Sequence, residues 1–312
     1  MHAVTIRDGH LVWEHHPDPQ AGTGEVLVRV RAAGINSADL LQRLGLYPPP
    51  PGSPPDIPGL EFAGVIEALG PGVTRWAQGD RVMAVVGGGG QAELVVAHER
   101  TLLQVPEPVA WEQAGGFPEV FTTAHDALFT QCGLSVGERL LVHGAAGGVG
   151  SAGVQLAMAA GARVVATVRA EGLRAQVAHW GATVVTPEGF VDHGPFDVIL
   201  ELIGAPNLAG DLAALDIGGR IAVIGVGAGA TAEINLHALM SKRARIHGST
   251  LRPRPLEQKV AAARAVEAHV LPLLERGRVS VPVAATFPME QAEAGYDAFA
   301  AGGKLGKIVL VP

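Results

Sequence analysis

The stretch Arg139-Leu-Leu-Val-His-Gly-Ala-Ala-Gly-Gly-Val-Gly-Ser151 carries an apolar run into a glycine-rich turn, and an alanine-rich helical stretch follows. The spacing Ala145-x-Gly147-x-x-Gly150 is that of a strand, turn and helix N-terminus cradling the diphosphate of a dinucleotide. The chemistry is anion binding by backbone: unpaired N–H groups at the start of the helix, and the positive end of its dipole, face the phosphates. Gly147 lets the backbone approach the ligand without a Cβ in the way, and Gly150 lets the helix pack close to the strand. Ala145 stands where a first glycine is usual, which an ordinary backbone conformation there tolerates. A packing turn without a ligand is the competing reading.

The next apolar segment, Arg163-Val-Val-Ala-Thr-Val-Arg169, reads as a second parallel strand. Its tip lies roughly twenty residues past the turn, where NAD-binding chains place an acid on the ribose 2′-hydroxyl. No acid stands there. Arg169, with Thr167 before it and Arg174 after it, suits a 2′-phosphate, because guanidinium groups bind phosphate oxygens with charge-assisted hydrogen bonds. NADPH is therefore the expected cofactor. The alternative for Arg169 is a solvated surface arginine.

Stepping outward to the elements that must hold these residues, 312 residues are enough for two domains with separate cores. Apolar residues make up 48%, which excludes a disordered chain. A formal charge of −7, a pI near 5.9 and the lack of a basic cluster argue against nucleic acid as a partner. The single cysteine, Cys132, rules out an internal disulfide and a structural thiolate zinc lobe, and fits a reducing, cytoplasmic setting. The N-terminus has no apolar core of signal-peptide length. Leu140 to Ala162 is free of charge and long enough to span a bilayer, but the glycine turn interrupts it, so a strand and helix buried in a parallel sheet are expected and a membrane is not.

The first third is β-rich, with strands over Glu25–Arg31, Phe62–Leu69, Asp80–Val86 and Ala92–Ala97, and a short helix Ser37–Leu44 entered from Asn36. A compact antiparallel barrel is expected. From about Phe121 strands alternate with helices, adding Thr183–Val185, Phe196–Leu202, Arg220–Gly225 and Arg245–Thr250, the rhythm of a doubly wound α/β sheet. A helix over Leu256–Leu274 and a strand over Lys307–Val311 then return to the first domain. The expected division is a catalytic domain over 1–120 completed by 251–312, with a Rossmann nucleotide domain, 121–250, inserted between.

The words Ala33-Gly-Ile-Asn-Ser-Ala-Asp-Leu-Leu-Gln-Arg-Leu-Gly-Leu-Tyr-Pro-Pro-Pro-Pro-Gly52, Gly59-Leu-Glu-Phe-Ala-Gly64, Gly79-Asp-Arg-Val-Met-Ala84 and Gly248-Ser-Thr-Leu-Arg252, with the phosphate turn, resemble the zinc-independent NADPH:quinone oxidoreductase branch of the medium-chain dehydrogenase/reductase superfamily. The similarity runs nearly the full length and is nearest to the p53-inducible subgroup and its bacterial counterparts. It implies a GroES-like barrel joined to the Rossmann sheet. Zinc-dependent relatives hold catalytic zinc with two cysteines and a histidine, where this chain reads Asn36, Leu60 and, less securely aligned, Glu119. These cannot make a nitrogen and sulfur site, so no metal is expected. The twelve histidines show no tight ligand spacing, and His143 lines the turn.

The resemblance also implies the site. Asn36 presents its amide to substrate or nicotinamide, or caps the helix that follows; Tyr47 hydrogen-bonds a quinone oxygen and stacks on its ring, or packs under the proline loop. Glu61 is a paired carboxylate with a catalytic or a structural role, and Arg252 lies near the substrate. Cofactor contacts are expected from Thr123, Ala146, Gly147, Gly148, Val149, Thr167, Arg169, Arg174, Gly204, Gly225, Val226 and Gly227. The expected reaction is hydride or electron transfer from NADPH to a quinone or other electrophilic carbonyl, by a homodimer. The alternatives are an NADPH-dependent enone or enoyl-thioester reductase, and an NADPH-binding structural or RNA-interacting protein of the ζ-crystallin type.

Overall fold

The computed structural model describes all of Met1–Pro312, and the chain divides into two compact units. The first comprises Met1–Thr122, Leu251–Gly302 and Lys307–Pro312; the second comprises Thr123–Thr250 and Gly303–Gly306. In chain order the strands are β1 (His2–Arg7), β2 (His10–His15), β3 (Glu25–Gly34), β4 (Glu61–Leu69), β5 (Arg81–Val85), β6 (Leu94–His98), β7 (Leu103–Gln104), β8 (Arg139–Val142), β9 (Arg163–Thr167), β10 (Thr183–Val185), β11 (Phe196–Glu201), β12 (Leu215–Val223), β13 (Arg245–Gly248), β14 (Val283–Pro288) and β15 (Lys307–Val311). The helices are α1 (Ser37–Arg43), α2 (Trp111–Gly115), α3 (Pro118–His125), α4 (Gly148–Ala159), α5 (Glu171–Ala178), α6 (Leu208–Ala214), α7 (Leu236–Lys242), α8 (Leu256–His269), α9 (Leu271–Glu275) and α10 (Ala292–Ala301).

In the first unit, alternation along β3 turns Val26, Val28 and Val30 inward and Arg29 and Arg31 outward, the period of a half-buried strand. These valines join Phe62, Ile66, Ile308, Leu310 and Tyr296 in one core. The main sheet runs β14-β15-β3-β4-β5-β7, with β6 also paired to β3. The strands of the first third pair antiparallel as expected, and the tail adds β14 and β15, which run parallel to each other. α10 lies between them in the chain, and a parallel pair requires such a crossover.

In the second unit, six parallel strands lie in the order β10-β9-β8-β11-β12-β13, a doubly wound sheet. Leu140, Val142, Val198 and Leu200 face one core and Leu141 and Ile199 another, so the central strands are covered on both faces, as their continuous apolar runs require. Gly303–Gly306 group with this unit, against the expectation for the returning tail, because Gly306 N–H donates to Ala146 O at 2.8 Å.

The helix expected over Leu256–Leu274 is two, α8 and α9, broken at Val270. Pro272 cannot donate an intrahelical hydrogen bond and disfavours helical backbone before it. The charge-free stretch Leu140–Ala162 is the end of β8, the turn and α4; no helix is long and apolar enough to cross a membrane.

Candidate active site

The phosphate turn is built on β8, whose Leu140, Leu141 and Val142 are wholly buried and fix where the backbone leaves the sheet. The left-handed residue of the turn is Gly144, at φ +60°, and this explains how Ala145 stands in for a glycine: the strained conformation falls one residue earlier. Ala145 N–H donates to Thr167 O at 3.1 Å, tying the turn to the end of β9. Gly147, extended at φ −73° and ψ 172°, precedes α4. A Cβ on Gly147 would meet only Gly144 O, at 3.3 Å, whereas one on Gly150 would lie 2.4 Å from Gly144 O and 2.7 Å from Ala145 Cα. Gly150 is thus required by packing. Gly147 precedes the first N–H groups of α4, with Ala146, Gly148 and Val149 around it, the kind of helix N-terminus that binds phosphate groups.

The tip of β9 carries no carboxylate. Arg169 is exposed there, and Arg174 is folded back, its Nε donating to Val168 O at 3.1 Å and an Nη to Arg169 O at 3.3 Å. Arg174 braces the strand end that carries Arg169. Thr167 was expected beside the 2′-phosphate; its hydroxyl instead is buried, accepts from Gly144 N–H at 3.2 Å and pairs with His143 Nδ1 at 3.2 Å. Its work is on the turn. Gly204, at φ +115°, and Gly225 are held by loop packing, since a Cβ on Gly204 would lie 2.5 Å from Gly229 O and one on Gly225 2.3 Å from Leu202 O. Val226 is exposed and a Cβ on Gly227 would meet nothing, so this loop has open space at its rim. Thr123 is buried on α3.

Directly before the turn, His143 Nε2 lies 2.8 Å from Asp211 Oδ1 and 3.7 Å from Glu201 Oε2, all three side chains being essentially without solvent contact. Glu201 accepts from Ile203 N–H at 2.5 Å, Gly204 N–H at 2.7 Å and Asn207 Nδ2 at 3.0 Å. Burial pushes the Asp211 carboxyl up to about 7 and Glu201 upward, and drives His143 down to about 4. Sequence reasoning assigned His143 to the turn but missed both acids. An acid directly after the apolar run Val198–Leu200, at the buried end of its strand, is the signal that was available.

In the first unit, Asn36, Glu61 and Lys307 form one buried cluster. Lys307 Nζ donates to Glu61 Oε1 at 2.6 Å, to Asn36 Oδ1 at 2.6 Å and to Ile35 O at 2.8 Å, while Asn36 Nδ2 donates to Glu61 Oε1 at 2.9 Å. Glu119 N–H donates to Glu61 Oε2 at 2.8 Å. A Cβ on Gly34 would lie 2.3 Å from Glu61 Oε1, so the pair depends on that glycine. Both ends of the Asn36 amide are engaged, which corrects the expectation of a free donor to substrate. Asn36 is also the N-cap of α1, in a capping box with Asp39: Asp39 Oδ2 accepts from Asn36 N–H at 2.8 Å, and Asp39 Oδ1 accepts from Gly59 N–H at 3.0 Å. Burial raises the Asp39 carboxyl to about 6. Glu61 is wholly buried and paired, the structural of its two readings. Lys307, missed from sequence, gave no local signal beyond a charge opening an apolar strand.

Tyr47 is half-buried, and burial raises its hydroxyl above the usual phenol value. The Arg252 guanidinium sits 5.1 Å from the Tyr47 ring centre, and donates to Tyr47 O at 2.9 Å, Gly87 O at 2.8 Å and Gln42 Oε1 at 2.5 Å. Arg252 is 3% exposed and hydrogen-bonds only neutral oxygens, with the Asp39 and Glu119 carboxyls nearby, so part of its charge bears on the ring.

A catalytic zinc does not fit these residues. Asn36 offers an amide already bonded to an ammonium, Leu60 is an aliphatic side chain 2% exposed, and one glutamate remains. Cys132 is buried, with its thiol pushed up to about 11 by burial, so it is no thiolate ligand.

Two family models match: an alcohol dehydrogenase GroES-like domain over residues 22–107 and a zinc-binding dehydrogenase over residues 148–267. Rat quinone oxidoreductase is 34% identical over 307 residues, covering 95% of this chain and 91% of the relative. Pikromycin polyketide synthase component PikAII of Streptomyces venezuelae is 41% identical over 186 residues, 60% of this chain and 4% of that protein. A mycobacterial protein solved in complex with NADPH superposes with a TM-score of 0.89 at 26% identity, over 100% of both chains. With an N-terminal GroES-like domain, a Rossmann sheet and no zinc ligands, the chain belongs to the quinone-oxidoreductase-like, zinc-independent branch of the medium-chain dehydrogenase/reductase superfamily and is an NADPH-linked oxidoreductase.

Proposed function

We propose that the protein reduces quinones with NADPH, and that it stands nearest to the p53-inducible subgroup within its branch. The observation that carries this reading is Tyr47 stacked against the buried cation of Arg252 in a unit with no metal-binding side chains at the zinc positions. When bound, NADPH supplies hydride from its nicotinamide. A quinone oxygen that gains negative charge accepts a hydrogen bond from the Tyr47 hydroxyl, and the Arg252 charge favours electron density at that ring. A proton then completes the hydroquinone. Asn36, Glu61 and Lys307 hold the backbone from which α1 and the Tyr47 loop depart.

On the cofactor side, backbone at Ala146 to Val149 holds the diphosphate, Arg169 pairs with the 2′-phosphate, and Thr123, Gly204, Gly225, Val226 and Gly227 contact the nicotinamide half. Thr167 and Arg174 act through the turn and the strand end. The protein works as a cytoplasmic homodimer. Support for the dimer comes from β13, the edge of the six-stranded sheet, and from α7, none of whose residues is buried and whose Leu236 and Met240 are 66% and 73% exposed.

The similarity to a polyketide synthase component favours one second reading, an enoyl-thioester or enone reductase. Following NADPH consumption with an ortho-quinone, an enone and an enoyl thioester in parallel separates the two. The quinone is expected to turn over at least about tenfold faster, about 1.4 kcal/mol in barrier height. A thioester faster by the same margin reverses the assignment.

A further inference from the structure

A buried cluster of titratable side chains that hydride transfer does not use lies behind the phosphate turn, where it joins separate pieces of cofactor-facing backbone. Gly144 N–H donates to Thr167 Oγ1, Thr167 Oγ1 bonds His143 Nδ1, and His143 Nε2 bonds Asp211 Oδ1. Glu201, 3.7 Å from the same Nε2, holds the N–H groups of Ile203 and Gly204 and the amide of Asn207. The turn that binds phosphate and the loop through Gly204 are thus tied to one buried knot. Asp211 Oδ2 has no partner although the residue is wholly buried.

We propose that His143, Asp211 and Glu201 are a positioning unit for NADPH, in which one proton retained among them keeps the knot from placing a second negative charge behind the diphosphate. Two buried carboxylates around a neutral imidazole carry one charge with that proton and two without it. The additional charge sits in a medium of low dielectric beneath a site built for an anion, and weakens binding there. The other groups facing Asp211 do not offset it. Phe190 packs edge-on to His143 at 4.7 Å and is neutral, and Asp192 and His193 beside it are exposed. Lys242 of α7 donates to the carbonyls of Ala213, at 2.8 Å, and Leu215, at the C-terminal end of α6. Raised carboxyls at Asp211, to about 7, and at Glu201 agree with retention of the proton near neutrality.

The test is NADPH binding by fluorescence titration from pH 6 to pH 9 on wild type and Asp211→Asn, which is neutral throughout. The ratio of the two dissociation constants cancels the titration of the cofactor's own phosphate. Wild-type affinity is expected to fall about tenfold more than that of the variant across this range, the size of an ordinary two-site coupling. Parallel profiles overturn the proposal. A second measurement needs no variant: calorimetry of NADPH binding to wild type at pH 8 in buffers of different ionisation enthalpy, above the range where the cofactor's phosphate titrates. Net proton uptake on binding is required by linkage, and no uptake, or release, overturns the proposal even if Asp211→Asn does not fold. Loss of affinity by Asp211→Asn equal at every pH, with proton uptake absent in wild type, reduces the trio to a structural support.

Discussion

Arg169 is exposed at the end of a strand and its proposed partner is the 2′-phosphate alone, so its removal has a selective signature. Arg169→Ala is expected to raise the dissociation constant for NADPH by about tenfold or more, the worth of a charge-assisted hydrogen bond, and to leave NADH within about twofold. Equal losses for both would remove the 2′-phosphate assignment. Lys307 behaves differently, because its counter-ion is wholly buried. Lys307→Met leaves Glu61 without a cation and should cost about 3–5 kcal/mol in chemical denaturation, more than any change at Arg169. Asp39 adds a pH term. Its carboxyl, raised by burial from 3.8 to about 6, holds its proton longer in the folded than in the unfolded chain. This stability is fully present below the unfolded value and is lost as pH rises through 6; Asp39→Asn should flatten that fall in melting temperature between pH 4 and pH 7. Arg169 was legible because its place is counted from the glycine turn. Lys307, Glu201 and Asp211 were not, because their meaning lies in partners brought near only by the fold.

Elements separate the glycines by purpose. Gly150→Ala drives a Cβ into Gly144 O and Ala145 Cα and should lower stability by about 1–3 kcal/mol. Gly147→Ala meets only Gly144 O, at 3.3 Å, a close but lesser contact, so it should lose less stability than Gly150→Ala while NADPH affinity drops. If both variants lost only stability, the turn would be packing alone. The strands of the doubly wound sheet were readable because central strands covered on both faces must be apolar throughout. The break between α8 and α9 was missed although Pro272 announces it, since the flanking apolar spacing continues across Val270. The parallel pairing of β14 and β15 was hidden because the partner of β14 is set by a crossover, not by its own residues.

At the scale of the whole molecule, composition carried the exclusions: an acidic pI of 5.9 and a single cysteine turn the reading from nucleic acid and disulfides toward a small-molecule enzyme. The proposed dimer would bury exposed apolar side chains of α7. Met240→Glu is expected to shift the protein from dimer to monomer in light scattering, with each monomer keeping its melting temperature within a few degrees; an unchanged mass would move the interface elsewhere.

The ammonium that neutralises Glu61 lies on β15, so the first unit is completed by residues made after the whole body of the second. On the ribosome, Thr123–Thr250 can close its parallel sheet while the earlier barrel still holds a carboxylate with no cation. The ion pair of the unit begun at Met1 is therefore the last to be completed in synthesis, after every residue of the nucleotide unit has been made. Closing a loop of that length carries an entropic cost that the unit meets only once Lys307 is present.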